Sequence, residues 1–60
     1  MEDMDKLLTP TEARKILSIG KTKMYELIKT GEIPSIHIGR SIRISMKDLD
    51  EWIKEKQGVP

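Results

Sequence analysis

A chain of 60 residues without cysteine makes one small domain with neither a disulfide framework nor a thiolate metal site, and a domain of that size buries only about 60% of the surface its unfolded chain exposes, which leaves no room for a deep substrate cavity. The apolar runs are only a few residues long, which excludes a membrane span, and the acidic opening Met1-Glu2-Asp3-Met4-Asp5-Lys6 lacks the parts of a signal peptide, so a cytoplasmic protein is expected. The formal net charge of +1 divides unevenly into −3 over residues 1–12, +5 over 13–43 and −1 over the remainder; a basic middle suits a face that meets a polyanion, although a solvated surface gives the same count.

The first helix is announced by Thr9-Pro10-Thr11-Glu12. Thr9 is a good N-cap, Pro10 suits the first helical position, and Glu12 stands where a capping-box carboxylate reaches back. Leu8 and Ala13 are placed to staple that cap, and Ala13, Ile16 and Leu17 follow helical spacing. Ser18-Ile19-Gly20 then breaks the pattern, and a second helix with Met24, Leu27 and Ile28 on its inner face begins from Gly20 as N-cap. Two helices joined by so short a link, with Gly in it and an apolar residue inside the turn, predict a helix-turn-helix. The second helix should stop at Thr30-Gly31, with Gly31 in the left-handed conformation and Pro34 preventing resumption.

The stretch Ser35-Ile36-His37-Ile38-Gly39-Arg40-Ser41-Ile42-Arg43-Ile44-Ser45 alternates isoleucine with polar or basic residues, the pattern of a two-stranded hairpin. If all four isoleucines share one buried face, Ile38 pairs with Ile42, the loop is Gly39-Arg40-Ser41, Arg40 is at the apex, and His37 and Arg43 lie on the outer face. A two-residue turn would instead pair Ile38 with Ser41. Gly is more usual at the end of a three-residue loop than at its beginning, so the turn type stays open. Ser45-Met46-Lys47-Asp48 reads as a third capped start, followed by Leu49, Trp52 and Ile53 as an apolar face, with Lys54 and Lys56 near the C-terminal end where the helix dipole favours them. The expected architecture is α+β: a small winged helix-turn-helix, then a C-terminal helix. It occupies residues 1–60 as one domain, with 1–6 a flexible acidic start and 57–60 a tail.

From about Leu7 to Ile53 the chain resembles the small winged helix-turn-helix proteins of the excisionase group, related to the DNA-binding domain of MerR-type regulators. The resemblance is carried by the helix entry at Thr9 to Ala13, by Tyr25-x-Leu27-Ile28 followed by Gly31-Glu32-Ile33-Pro34, by the Gly39-Arg40 tip, by Arg43, and by Asp48-Leu49. The family often has Gly-Val-Ser where this chain has Ser18-Ile19-Gly20, and frequently a base where this chain has Glu26. The resemblance implies a non-enzymatic, sequence-specific binder of double-stranded DNA in a mobile element. As an excisionase it would bend DNA, assist an integrase and self-associate cooperatively on repeated sites. A small transcriptional regulator working with RNA polymerase is the alternative.

Residues at the start of a recognition helix reach base edges in the major groove, so Lys21, Thr22, Tyr25 and Glu26 are the candidates for readout. Tyr25 could instead edge the core, and Glu26 could pair with a lysine one turn away. Lys23, Lys29, Arg14 and Lys15 are candidates for phosphates, which position a protein without reading sequence. On the wing, Arg40 at the tip is the leading candidate, with His37, Ser41 and Arg43 beside it; Arg43 could pair with Glu32 or another local acid instead. His37 has no second histidine or cysteine to help it bind metal, so no metal or other cofactor is expected, and Trp52 fits the core better than a base-stacking role. No motif activates a nucleophile, and no small-molecule substrate is expected. A protein-interaction module that has kept the winged core is the reading from another class, favoured by the low net charge and Glu26.

Overall fold

A computed structural model describes residues 6–58, so the expectations for residues 1–5 and 59–60 lie outside the described residues. The elements in chain order are β1 (Leu7–Leu8), α1 (Pro10–Leu17), α2 (Lys21–Lys29), β2 (Ile36–Ile38), β3 (Ser41–Ser45) and α3 (Met46–Lys56). This is the expected α+β winged helix-turn-helix with one element added. Leu7 and Leu8 form a short strand that pairs antiparallel with β3, Leu7 opposite Ser45 and Leu8 opposite Ile44, so the sheet has three strands in the order β1-β3-β2. Lys6, expected in the flexible start, is tied to this sheet, since its carbonyl accepts the Met46 N–H at 2.9 Å.

Helix starts are local events, and each follows its capping residues. The Thr9 Oγ1 accepts the Glu12 N–H at 3.1 Å while Glu12 Oε1 accepts the Thr9 N–H at 2.9 Å, a complete capping box that satisfies two otherwise free donors. At the other end of α1, Ser18 adopts the left-handed conformation (φ 58°), and its N–H reaches the carbonyls of Arg14 and Lys15. Gly31 follows α2 with φ 81°, the conformation that lets the chain turn back without a side-chain clash. The Ser45 Oγ accepts the Asp48 N–H at 3.3 Å and so caps α3 directly from the last residue of β3.

The core consists of Leu8, Ala13, Met24, Ile28, Ile33, Ile44 and Leu49, all buried, with Leu17, Ile19, Leu27, Ile42, Trp52 and Ile53 packed around it. Ile16, expected on the inner face of α1, is 48% exposed. The buried arc of that helix runs through Ala13 toward Leu17 and leaves Ile16 on the flank.

The hairpin departs from expectation in register. Ile38 pairs with Ser41, His37 with Ile42 and Ile36 with Arg43, so the loop is the two residues Gly39 and Arg40. Gly39 has φ 58° and Arg40 does not have positive φ, the sign pattern of a type II′ turn, which takes Gly first and matches the twist of the flanking strands. The displaced register separates the isoleucines. Ile44 is buried and Ile42 half-buried, whereas Ile36 and Ile38 are 39% and 56% exposed. His37 therefore shares a face with Ile42, while Arg43 shares the other with Ile36, and the expected pairing of His37 with Arg43 on one outer face is wrong. The core gives no reason to do otherwise. Both α1 and α3 pack against β3, and β2 lies beyond it at the sheet edge, packed chiefly on β3, where neither face offers deep burial. Among the described residues no helix is long and apolar enough to cross a membrane.

This register makes a sharp prediction about the four isoleucines. Ile44→Ala removes a fully buried side chain and should cost about 2–5 kcal/mol, lowering the melting temperature by on the order of 10 °C or more in a domain this small. Ile38→Thr should stay within about 0.5 kcal/mol of the parent. Circular-dichroism melts of the two variants check it, and equal losses would restore the register with four buried isoleucines.

Candidate nucleic-acid interface

The exposed side of α2 follows from the positions that the core does not take. Met24 and Ile28 are buried and Leu27 is half-buried, which turns Thr22, Tyr25, Glu26 and Lys29 outward at a spacing of three, one and three residues, a single stripe along the helix. Tyr25 is 43% exposed, so the alternative of a tyrosine edging the core does not describe it fully. Lys21 opens the helix and is also exposed. The cap residue Gly20 supplies no side-chain hydrogen bond and the first turn holds no acid, so the N-terminal end of α2 keeps its positive character.

Lys23 is placed differently from its neighbours. It stands on the flank of α2, lining an open groove of about 500 Å³ with Leu17, Ile19, Leu27, Trp52 and Lys56, and its Nζ is 3.5 Å from Glu26 Oε1. Glu26 thus has the lysine partner expected of it as an alternative. Both side chains are about 60% exposed, and a pair so exposed contributes little stability and is easily exchanged for another partner.

Of the helix-one candidates, Lys15 is exposed, whereas Arg14 is half-buried with its Nη1 donating to the Ile19 carbonyl at 3.5 Å. The same Arg14 offers its own carbonyl to the Ile19 N–H at 3.1 Å. Arg14 therefore braces the turn between the two helices, a role its sequence position did not suggest.

On the wing, Arg40 is exposed at the apex, one residue beyond the left-handed Gly39. Ser41 is half-buried opposite Ile38. The Arg43 Nη1 donates to the Ile42 carbonyl at 2.8 Å, and its charge acts on Glu12. His37 Nε2 is 3.3 Å from Ser35 Oγ. The suggested Arg43–Glu32 pair does not form, because Glu32 is engaged elsewhere. Its Oε2 accepts from Trp52 Nε1 at 3.3 Å and pairs with Lys56, whose ammonium also stands 5.5 Å from the Trp52 ring centre. This three-residue clamp joins the segment after α2 to the last turns of α3. Among the described residues no cluster of histidine, cysteine, aspartate and glutamate could hold a metal ion.

Two helices joined by residues 18–20, with a polar stripe on the outward side of the second, define a helix-turn-helix domain. The family model for the helix-turn-helix domain matches residues 7–57, and the chain belongs to that family. A Saccharopolyspora erythraea protein named "Probable excisionase" is 48% identical over 46 residues, covering 77% of this chain and 47% of that protein. A Mycobacterium tuberculosis protein named "Putative DNA-binding protein Rv0500A" is 31% identical over 48 residues, covering 80% of this chain and 62% of that protein. The chain thus spans about half to three-fifths of the length of these curated relatives. No solved structure matches it significantly.

The clamp has a pH signature. Hydrogen bonds from Lys56 and then Trp52 hold the Glu32 carboxyl below its ordinary value of 4.5, and the bond to Glu32 raises Lys56 above 10.5. A lowered folded value for Glu32 means that its contribution is present above pH 4.5 and is lost as pH falls through the lowered value; for Lys56 it is present below pH 10.5 and lost as pH rises through the raised value. Glu32→Gln should therefore flatten both limbs of the melting temperature plotted against pH. Part of the acid limb should remain, because the Thr9 backbone N–H similarly lowers Glu12.

Proposed function

We propose that this domain is a non-enzymatic, sequence-specific binder of double-stranded DNA of the excisionase type. The observation that carries the proposal is the outward stripe of Thr22, Tyr25, Glu26 and Lys29 on the second helix of a helix-turn-helix. Such a helix enters the major groove with its N-terminal residues toward base edges. Threonine bonds either edge or packs on a thymine methyl, and glutamate accepts from the cytosine amino group. Glu26 reaches cytosine by leaving Lys23, which is then free for a phosphate. Lys21, at the start of the helix, donates to guanine, Lys15 and Lys29 supply further phosphate contacts, and Arg40 lies along the flanking minor groove or its backbone.

The excisionase reading is supported by the 48% identity to the Saccharopolyspora protein over most of this chain. In that role the domain assists an integrase by binding repeated sites cooperatively and bending the DNA between them. A single small module buries only about 600–1,000 Å² on DNA, so specificity from one copy is limited and repeated or partnered binding follows. A small transcriptional regulator of the same fold is the second reading; the Mycobacterium relative's name gives DNA binding, which both readings require.

Fluorescence anisotropy with duplexes from the DNA flanking the gene tests the proposal. Neutralising about four phosphates should weaken binding roughly 10²-fold between about 50 and 200 mM salt. Arg40→Ala should reduce affinity and lower the salt slope by about one, with the melting temperature unchanged. A protein that binds no duplex in a salt-sensitive manner is a protein-interaction module.

A further inference from the structure

We infer that Ile38 is a DNA-contacting residue of the wing, packing its side chain on the sugar wall of the minor groove beside Arg40. The inference rests on the reading that the wing lies on duplex DNA. It begins from the register, which places Ile36, Ile38, Ser41 and Arg43 on one face of the hairpin and carries Leu7 onto the same face through its pairing with Ser45. Leu7, Ile36 and Ile38 are 44%, 39% and 56% exposed, and Ile38 is the most exposed large hydrophobic side chain among the described residues. Isolated exposed hydrophobics are ordinary, but Ile36 and Ile38 follow one another along the same face of β2, opposite Arg43 and Ser41.

The charges around this face select its occupant. Residues 33–47 contain no acid and carry Arg40, Arg43 and Lys47. The carboxylate whose charge reaches Arg43 is Glu12, which is already committed to the Thr9 cap and also interacts with Lys6. A second copy laid face to face would set two basic surfaces without an acid in residues 33–47 against each other, so an isologous dimer through this face is opposed by like charge. The surface that fits is anionic at the arginines and apolar at Ile38, with the two separated by one residue. A duplex groove has that alternation, because phosphate ridges flank walls of deoxyribose carbon, and apolar side chains on minor-groove proteins use those walls and the base steps beneath them.

The local geometry favours Ile38 over the other two apolar residues. It is adjacent to the two-residue turn, whereas Ile36 lies about 7 Å further down the strand and Leu7 is two strands away across the sheet. A β-branched side chain has little rotamer freedom in a strand, so Ile38 loses little entropy when it is covered. Its contact would be indifferent to base identity and to salt, unlike that of Arg40.

This difference provides the test. Affinities of the full chain for one flanking duplex are measured across a salt series for the parent, Ile38→Thr, Ile38→Val, Ile36→Thr and Arg40→Ala. Ile38→Thr should weaken binding about five- to tenfold at every salt concentration with the slope of log K against log salt unchanged. Ile38→Val should weaken it about twofold in the same manner, Ile36→Thr should lose less than Ile38→Thr, and Arg40→Ala should lose affinity with a smaller slope. Parental affinity in both Ile38 variants, in a protein that binds duplex, overturns the inference and leaves the DNA-binding reading standing. So does a loss confined to self-association, seen by sedimentation with DNA affinity unchanged, which would give the face to a second copy. If the parent binds no duplex at all, the DNA-binding reading itself falls and the inference falls with it.

Discussion

The fold depends on β3. This five-residue strand touches β1, β2, α1 and α3, and its Ile44 is fully enclosed in the core. On one edge it holds β1, whose Leu8 stands opposite Ile44, and on the other it holds β2, which carries the wing. At its end Ser45 is both the last strand residue and the N-cap of α3, so strand and helix are joined without a linker. A chain without cysteine gains no stability from cross-links. It relies on one small core, in which β3 packs with four of the other five elements and α2 packs chiefly on α1.

The features that were legible in the sequence are the ones determined within a few residues. Thr9 with Glu12, Ser45 with Asp48, and Gly31 after α2 each behave as their types and spacing predict, because a cap is a local hydrogen bond or a local dihedral. The inner face of α2 was legible for the same reason, since Met24 and Ile28 set the phase of the helix. What was missed depends on contacts distant in the chain. Two leucines show no strand periodicity, so β1 appears only when β3 is there to pair with it. The clamp of Glu32, Trp52 and Lys56 spans 20 residues or more and has no local signal.

The hairpin register is the instructive case, because the decisive signal was present and was outweighed. Four alternating isoleucines argued for one buried face, but Gly39 at the start of the loop argued for a two-residue turn, and the turn prevailed. Hydrophobic alternation fixes register only where one face is actually buried. At the sheet edge that condition fails for β2, whose residues are exposed on both faces. One of the candidate residues is engaged elsewhere: Arg14 is occupied with the helix-turn-helix link.

The junction at Ser45 links two boundaries. With no intervening loop, one residue serves both elements: Ser45 stands opposite Leu7 in the sheet and caps α3, while Glu32, Trp52 and Lys56 join the far end of α3 to the segment following α2. An insertion at Ser45 therefore costs either a ladder position or the helix cap, so the end of the strand and the start of the helix are set together.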